Sequence, residues 1–182
     1  MLDLQQVDKT WTLFLDRDGV INDEKLNEYV LHWDYFIFSK GVLDVFKRLS
    51  ESFGRIIIVT NQKGVGKGLM GQEALDTIHL EMKREVEIAG GRIDKIYACT
   101  HVDNDSPLRK PNPGMAFLAQ ADFPDIDFAK CIMVGNKLSD MRFGRNAGMA
   151  TVFVATTNPD EPFPHADIDL RFDTLAHFAE SL

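Results

Sequence analysis

The chain has 182 residues, of which 45% are hydrophobic and 26% charged, and its formal net charge at pH 7 is −8. This composition is typical of a soluble globular protein, and we expect residues 1–182 to form a single domain. The acidic balance argues against a general nucleic-acid-binding protein, which would present a basic face. No apolar run approaches the roughly 20 residues of a membrane span, so neither nucleic acid nor membrane is an expected partner.

The two cysteines, Cys99 and Cys131, are too few for a disulfide framework. The first ten residues lack the basic and apolar regions of a signal peptide. We therefore expect a cytoplasmic protein, either a monomer or a weak oligomer.

Short apolar runs alternate with longer helical patterns along the chain. The runs are rich in β-branched residues and apolar on both faces, as strands of a covered parallel sheet are; they lie at 11–15, 55–60, 95–100, 130–135 and 150–155. The helical patterns lie at 41–54, 71–91, 112–122, 139–148 and 173–182. A Pro-rich loop at 156–170 precedes a possible further short strand. This order predicts right-handed crossovers and a Rossmann-like, doubly wound parallel α/β sheet.

Residues 20–40 are too few to form an independent core, so no large cap domain is expected. Because this segment directly follows the first predicted strand, it is a candidate flap over a site. Its aromatic part, with His32, Trp33, Tyr35 and Phe36, either contacts a substrate or packs locally.

Polar residues follow four of the predicted strands. Ligands bind beyond the carboxyl ends of the strands in such sheets, so these residues are expected to converge. They are Asp16-Arg17-Asp18, Thr60-Asn61-Gln62, Cys99-Thr100-His101 with Arg109-Lys110 beyond, and Gly135-Asn136 with Asp140.

Asp16 and Asp18 stand two residues apart, where like charges repel and need a counter-charge. An Asp at a strand end can attack phosphorus, and a second one can move the proton of the leaving oxygen. A hard divalent cation such as Mg²⁺ prefers oxygen ligands of this kind. On spacing alone, a turn or a helix cap explains the pair equally well.

Three further positions suit phosphate chemistry. Thr60 and Asn61 offer a hydroxyl and an amide to phosphate oxygens, or simply end a strand. Lys110 supplies a point charge to phosphate, or is a solvated lysine. Asp140 either holds a metal, orients Lys110 or favours the start of a helix through the helix dipole.

Four segments, FLDRDGVIN, VTNQ, RKPNPGM and VGNKLSDM, resemble in order the motifs of the haloacid dehalogenase (HAD) superfamily phosphatases. DRDGVIN, TNQ and RKPNPGM are most similar to the D-glycero-D-manno-heptose bisphosphate phosphatases, and the histidinol-phosphate phosphatases are their close relatives. The resemblance spans residues 11–155. It implies a HAD-like fold and a magnesium-dependent phosphatase of a small phosphorylated metabolite, with heptose bisphosphate as the first candidate and histidinol phosphate as the second.

The resemblance also implies roles for individual residues. Asp16 is the implied nucleophile and Asp18 the implied general acid/base. The implied substrate and phosphate contacts are Arg17, Thr60, Asn61, Arg109 and Lys110. The implied magnesium ligands are Asp16, the carbonyl of Asp18, Asn136 and Asp140.

The chain departs from the family pattern at two places. Asn136 stands where the family usually has Asp, which predicts weaker magnesium binding. Cys99 and His101 stand alone where many relatives carry a four-ligand zinc loop, and two ligands do not make a closed zinc site, so zinc is not expected.

Two other functions remain open from the sequence. Asn136 is consistent with a phosphate-binding protein that has lost catalysis. The segment GKGLMG (66–71) matches a dinucleotide-binding pattern, but it begins well after its strand, which favours a flexible turn.

Overall fold

The computed structural model describes residues 2–25 and 28–182. In these residues, six parallel strands form one sheet in the order β3-β2-β1-β4-β5-β6. Their bounds are Thr12–Leu15 (β1), Arg55–Asn61 (β2), Lys95–Cys99 (β3), Cys131–Gly135 (β4), Ala150–Val154 (β5) and Leu170–Phe172 (β6). The predicted parallel α/β sheet is confirmed, including the short strand after the Pro-rich loop.

Within the described ranges, six α-helices accompany the sheet. They are Val42–Ser52 (α1), Lys63–Gly66 (α2), Gln72–Ile88 (α3), Gly114–Asp122 (α4), Leu138–Ala147 (α5) and Leu175–Glu180 (α6). Five of them correspond to predicted helical patterns, with ends that differ by a few residues. The short helix α2 was not expected, since its sequence KGVG has no apolar periodicity.

Successive side chains of a strand point to opposite faces of the sheet, and helices cover both faces. Leu13 and Leu15 pack with residues of α1, α3 and α6, including Phe46 and Phe178. Phe14 packs on the other face with residues of α4 and α5. The central strands are mostly apolar because helices cover both sides of the sheet.

Residues 20–40 follow β1 without forming a separate domain. Asn22 forms an isolated antiparallel β-bridge with Phe38. The rings of Trp33 and Phe36 stack, and the ring of Phe38 lies edge-on to both. Leu26 and Asn27, which belong to the proposed flap, lie outside the described residues. Within the described part of the chain, no helix is both long and apolar enough to cross a membrane.

Candidate active site

A cavity of about 620 Å³ lies at the carboxyl ends of the central strands. The parallel register places the ends of β1, β2 and β4 side by side, with Leu15 opposite both Ile58 and Val134. The segments that follow these strands therefore meet. The cavity is lined by Asp16, Asp18, Glu24, Lys25, Glu28, Tyr29, Val30, Thr60, Asn61, Gln62, Lys63, Lys67, Asn104, Arg109, Lys110, Pro111, Lys137, Ser139 and Asp140.

A buried charged triad forms the floor of this cavity. The Lys110 ammonium lies 2.8 Å from Asp16 Oδ1 and 2.7 Å from Asp140 Oδ1. It also donates to the carbonyl of Val59, at 2.8 Å. All three charged residues are buried, so their mutual attraction is weakly screened.

The triad has one positive and two negative groups, and this imbalance appears in the pKa values. Burial is the main cause that raises the pKa of Asp16 from 3.8 to about 7. The negative charge of Asp140 acts in the same direction, and the Lys110 ammonium opposes both only in part. Burial would lower the pKa of Lys110, but the two carboxylates outweigh it and raise that pKa. Lys110 is therefore charged, and Asp16 needs a second positive partner to be fully ionised near neutral pH.

Asp18 is held differently, by several donors at once. Arg17 Nη2 lies 2.9 and 3.1 Å from its two carboxylate oxygens. Asn22 Nδ2 donates to Oδ1 at 3.0 Å, and Gln62 Nε2 donates to Oδ2 at 2.8 Å. Burial opposes ionisation, but the Arg17 charge and these hydrogen bonds lower the pKa of Asp18. The resting group is a carboxylate.

Arg17 does not line the cavity, although the sequence placed it among the substrate contacts. Its side chain is fully buried, lies above the ring of Phe36 and has Nη1 at 3.1 Å from His79 Nε2. Its charge is directed at Asp18, so the structure gives Arg17 the geometry of a residue that orients a neighbour.

Thr60 and Asn61 both line the cavity, as expected. The Thr60 hydroxyl accepts a hydrogen bond from Gln62 Nε2 at 2.8 Å. The Asn61 amide spans the backbone of Lys110, because Nδ2 donates to its carbonyl and Oδ1 accepts from its N–H, both at 3.1 Å. Asn61 thus fixes the loop that carries the triad lysine.

Arg109 lies beside the triad and lines the cavity. Its Nη1 is buried with no hydrogen-bond partner among the described residues, and burial lowers its pKa. An unpaired buried guanidinium nitrogen costs free energy, which an anionic ligand would recover.

A magnesium ion fits this donor set through an amide oxygen. Among residues 2–25 and 28–182, no three His, Cys, Asp or Glu side chains come together as a metal cluster. Asn136 Oδ1, however, is buried and has no donor among the described residues. Asn136 directly follows β4 and is not among the residues that line the cavity. Its orphaned buried acceptor nevertheless suits a hard cation that takes oxygen ligands.

Cys99 and His101 do not form a site together with other metal ligands in the described chain. Cys99 is buried, and His101 Nδ1 lies 2.6 Å from Ser106 Oγ. Ser106 is also buried, and its carbonyl accepts from Arg109 N and Asn112 Nδ2. Hydrogen bonds centred on Ser106 hold this loop.

Several residues of the site were not assigned a role from sequence. Gln62 and Asn22 hold Asp18, and Glu24 and Lys137 pair at the cavity wall. A polar side chain one residue past β2 was the only signal for Gln62. Nothing local distinguishes Glu24, because its partners lie more than a hundred residues away in the chain.

The comparisons with known proteins agree with this geometry. Residues 107–177 match the family model described as HAD-hydrolase-like. The crystal structure of D,D-heptose 1,7-bisphosphate phosphatase from B. bronchiseptica, complexed with magnesium and phosphate, has a TM-score of 0.85 and 31% identity, covering 93% of this chain and 96% of that one. The fold is that of a HAD-like hydrolase.

Two curated relatives define the group more closely. The D-glycero-α-D-manno-heptose-1,7-bisphosphate 7-phosphatase of Mycobacterium tuberculosis is 34% identical over 93% of this chain and 90% of its own length. The D-glycero-β-D-manno-heptose-1,7-bisphosphate 7-phosphatase of Escherichia coli O6:H1 is also 34% identical, over 93% of both chains. The chain belongs to the D-glycero-D-manno-heptose-1,7-bisphosphate 7-phosphatase family.

Proposed function

We propose that this chain is a magnesium-dependent phosphatase that removes the 7-phosphate of a D-glycero-D-manno-heptose 1,7-bisphosphate. The observation that carries the proposal is the buried triad of Asp16, Lys110 and Asp140 at the cavity floor. A buried carboxylate beside an ammonium is suited to attack on an anionic phosphoryl group, because the ammonium offsets the repulsion between them.

In the first half of the proposed reaction, an Asp16 oxygen attacks phosphorus and the bond to the C7 oxygen breaks. The Asp18 carboxyl gives that oxygen its proton. Resting Asp18 is ionised, but a phosphate beside it adds negative charge and raises the pKa of the carboxyl, which favours uptake of the proton that it then donates.

In the second half, a water molecule attacks the phosphorus of the acyl phosphate formed on Asp16. Asp18, now a carboxylate, takes one proton of that water, and the bond between phosphorus and Asp16 breaks. The hydrogen bonds from Asn22 and Gln62 keep Asp18 in place for both steps. Bound magnesium would supply positive charge to the phosphoryl oxygens and to Asp16, with Asp16, the Asp18 carbonyl, Asn136 and Asp140 as its proposed ligands.

The wall of the cavity supports a substrate with a second phosphate. Lys63, Lys67 and Arg109 line it. Lys63 and Lys67 donate to neutral groups, Asn104 Oδ1 and Tyr29 Oη, so their charges are not cancelled by a carboxylate there. This local positive charge counters the net charge of −8 on the whole chain.

The loop that carries Arg109 and Lys110 is proposed to need no zinc. The support is the hydrogen bonding around Ser106 and the two isolated candidate ligands, Cys99 and His101. Treatment with a zinc-selective chelator, followed by magnesium repletion, is expected to leave phosphate release unchanged.

The function is tested by phosphate release from both anomers of the heptose bisphosphate and from histidinol phosphate. We expect magnesium-dependent turnover that stops after one phosphate per bisphosphate, with the C1 phosphate retained in the ³¹P spectrum of the product. Faster turnover of histidinol phosphate would contradict the substrate, and no release from any ester would contradict the activity.

Magnesium should stabilise the protein more at high pH. In the metal-free state, the pKa of Asp16 is raised to about 7, so proton binding favours the folded form and this stability is lost as pH rises from about 4 towards 7 and above. Magnesium replaces the proton. The rise in Tm between EDTA and magnesium should therefore be larger at pH 8 than at pH 5, and an equal rise at both would contradict this account.

A further inference from the structure

The orientation of the Asn136 side chain is set by two acceptors. Asn136 Nδ2 donates to Glu24 Oε2 at 3.0 Å and to Thr157 Oγ1 at 2.5 Å. Because both amide hydrogens are used, the nitrogen end of the amide is fully satisfied. The oxygen end is buried and unpartnered among the described residues.

Glu24 is itself fixed by a second contact. Its other oxygen, Oε1, pairs with the ammonium of Lys137, the residue next to Asn136 in the chain. The Glu24 side chain is only 14% exposed. The charge of Glu24 is therefore largely balanced by Lys137, and its effect on Asn136 is one of orientation more than of added negative charge.

The backbone near Asp18 leaves room for this arrangement. A Cβ on Gly19 would lie 2.1 Å from Asn136 Nδ2 and 3.2 Å from Glu24 Oε2. Gly19 also has a φ of +84°, which favours glycine. The Asn136 carbonyl accepts from Asn158 Nδ2 at 2.8 Å, so the main chain of this residue is held as well.

We propose that Glu24 and Thr157 are positioning residues that hold the Asn136 amide with its oxygen free to bind a divalent cation. This inference rests on the proposed function, since it deepens the same metal site. An amide that could rotate would also present its N–H₂ to the cation, and a donor repels a cation. Fixing the amide makes a neutral side chain a usable ligand.

The pairing predicts an unusual result for the substitution that adds charge. Asn136→Asp alone places a carboxylate oxygen 3.0 Å from Glu24 Oε2, where the two charges repel. Combining it with Glu24→Gln restores a donor and an acceptor at the same positions. The two changes should therefore be strongly non-additive.

The experiment is calorimetric titration of the full chain with magnesium alone. We expect Glu24→Gln and Thr157→Val each to weaken magnesium binding by about 10-fold, as loss of a residue that orients a ligand typically does. Glu24→Gln leaves a single acceptor oxygen, for which the Lys137 ammonium and Asn136 Nδ2 then compete. Glu28→Gln is the matched control, because Glu28 lines the same cavity and the substitution removes the same charge. It should bind magnesium like the unsubstituted chain.

The double variant with Asn136→Asp and Glu24→Gln separates loss of orientation from damage to the fold. Asn136→Asp combined with Glu24→Gln should bind magnesium at least as tightly as the unsubstituted chain, whereas Glu24→Gln alone should not. Unchanged affinity in both Glu24→Gln and Thr157→Val, or equal weakening in Glu28→Gln, would overturn the inference.

Phosphate release tests the proposed function separately from magnesium binding. If the unsubstituted chain binds no magnesium, the inference is overturned, and phosphate release from the heptose bisphosphate then decides whether the chain is an enzyme. If Glu24→Gln binds magnesium normally while the unsubstituted chain turns over substrate, only the inference fails.

Discussion

Asp16→Asn should abolish phosphate release while leaving the protein folded. The amide keeps the size of the side chain but cannot form the acyl phosphate, so we expect the rate to fall by at least about 10³-fold, in the range seen for loss of a nucleophile. The measurement is inorganic phosphate release at saturating magnesium with the preferred ester, together with thermal unfolding of each variant.

The stability of this variant makes the test decisive. Asp16 is a buried carboxylate near Asp140, and its raised pKa shows that its ionised form is disfavoured. Replacing it by a neutral amide removes that cost, so the metal-free variant should be as stable as the unsubstituted chain above pH 7. Loss of activity then reports chemistry and not unfolding.

Asp23→Asn is the matched control. Asp23 lies seven positions after Asp16 in the chain, is exposed and accepts a hydrogen bond from Ser39 Oγ at 2.9 Å. It does not line the cavity, so its loss should leave turnover unchanged. Residual turnover of Asp16→Asn within tenfold of the unsubstituted chain would contradict Asp16 as the nucleophile.

The fold was predictable because the strands carry an unambiguous pattern. Apolar, β-branched runs such as Arg55–Asn61 alternate with amphipathic helices, and few architectures accommodate that order. Helix α2 escaped prediction because its four residues include two glycines. Its position is set by tertiary contacts: a Cβ on Gly66 would lie 2.2 Å from the carbonyl of Thr100.

The location of the site was also predictable from the order of strands, but the hydrogen bonds and ion pairs within it were not. Polar residues after parallel strands converge whatever their identity, so Asp16, Thr60 and Lys110 could be placed at one cavity. Which group each one contacts depends on side-chain directions that a linear pattern does not contain. Arg17 illustrates this, since it lies between two carboxylates in sequence, yet it pairs with Asp18 and does not itself line the cavity.

Lys110→Met should destabilise the metal-free protein strongly. The Lys110 side chain is buried and is the cation shared by Asp16 and Asp140. Methionine fills a similar volume without a charge, which leaves two buried carboxylates unpaired. Breaking a buried ion pair in this way typically costs about 3–5 kcal/mol, and we expect a loss of that size in urea unfolding at pH 8 with EDTA.

The control and the pH dependence identify the cause. Lys95→Met removes a half-exposed lysine that pairs with Asp122 at 3.5 Å, and it should change the unfolding free energy by less than about 1 kcal/mol. At pH 5 the cost of Lys110→Met should shrink, because Asp16, whose pKa is already raised to about 7, takes up a proton. A cost that does not depend on pH would show lost packing instead of lost charge.

A second substitution separates stability from catalysis in the same triad. Adding Asp140→Asn to Lys110→Met removes one of the two unpaired carboxylates, so part of the lost stability should return. Phosphate release should stay about 10²-fold or more below that of the unsubstituted chain, because the transition state still lacks the ammonium at the phosphoryl group. Recovery of turnover along with stability would mean that Lys110 only balances charge in the fold. Asp140 is itself a proposed magnesium ligand, so Asp140→Asn alone is the reference. Recovery of stability with turnover below that of Asp140→Asn would assign the Lys110 charge to the chemistry.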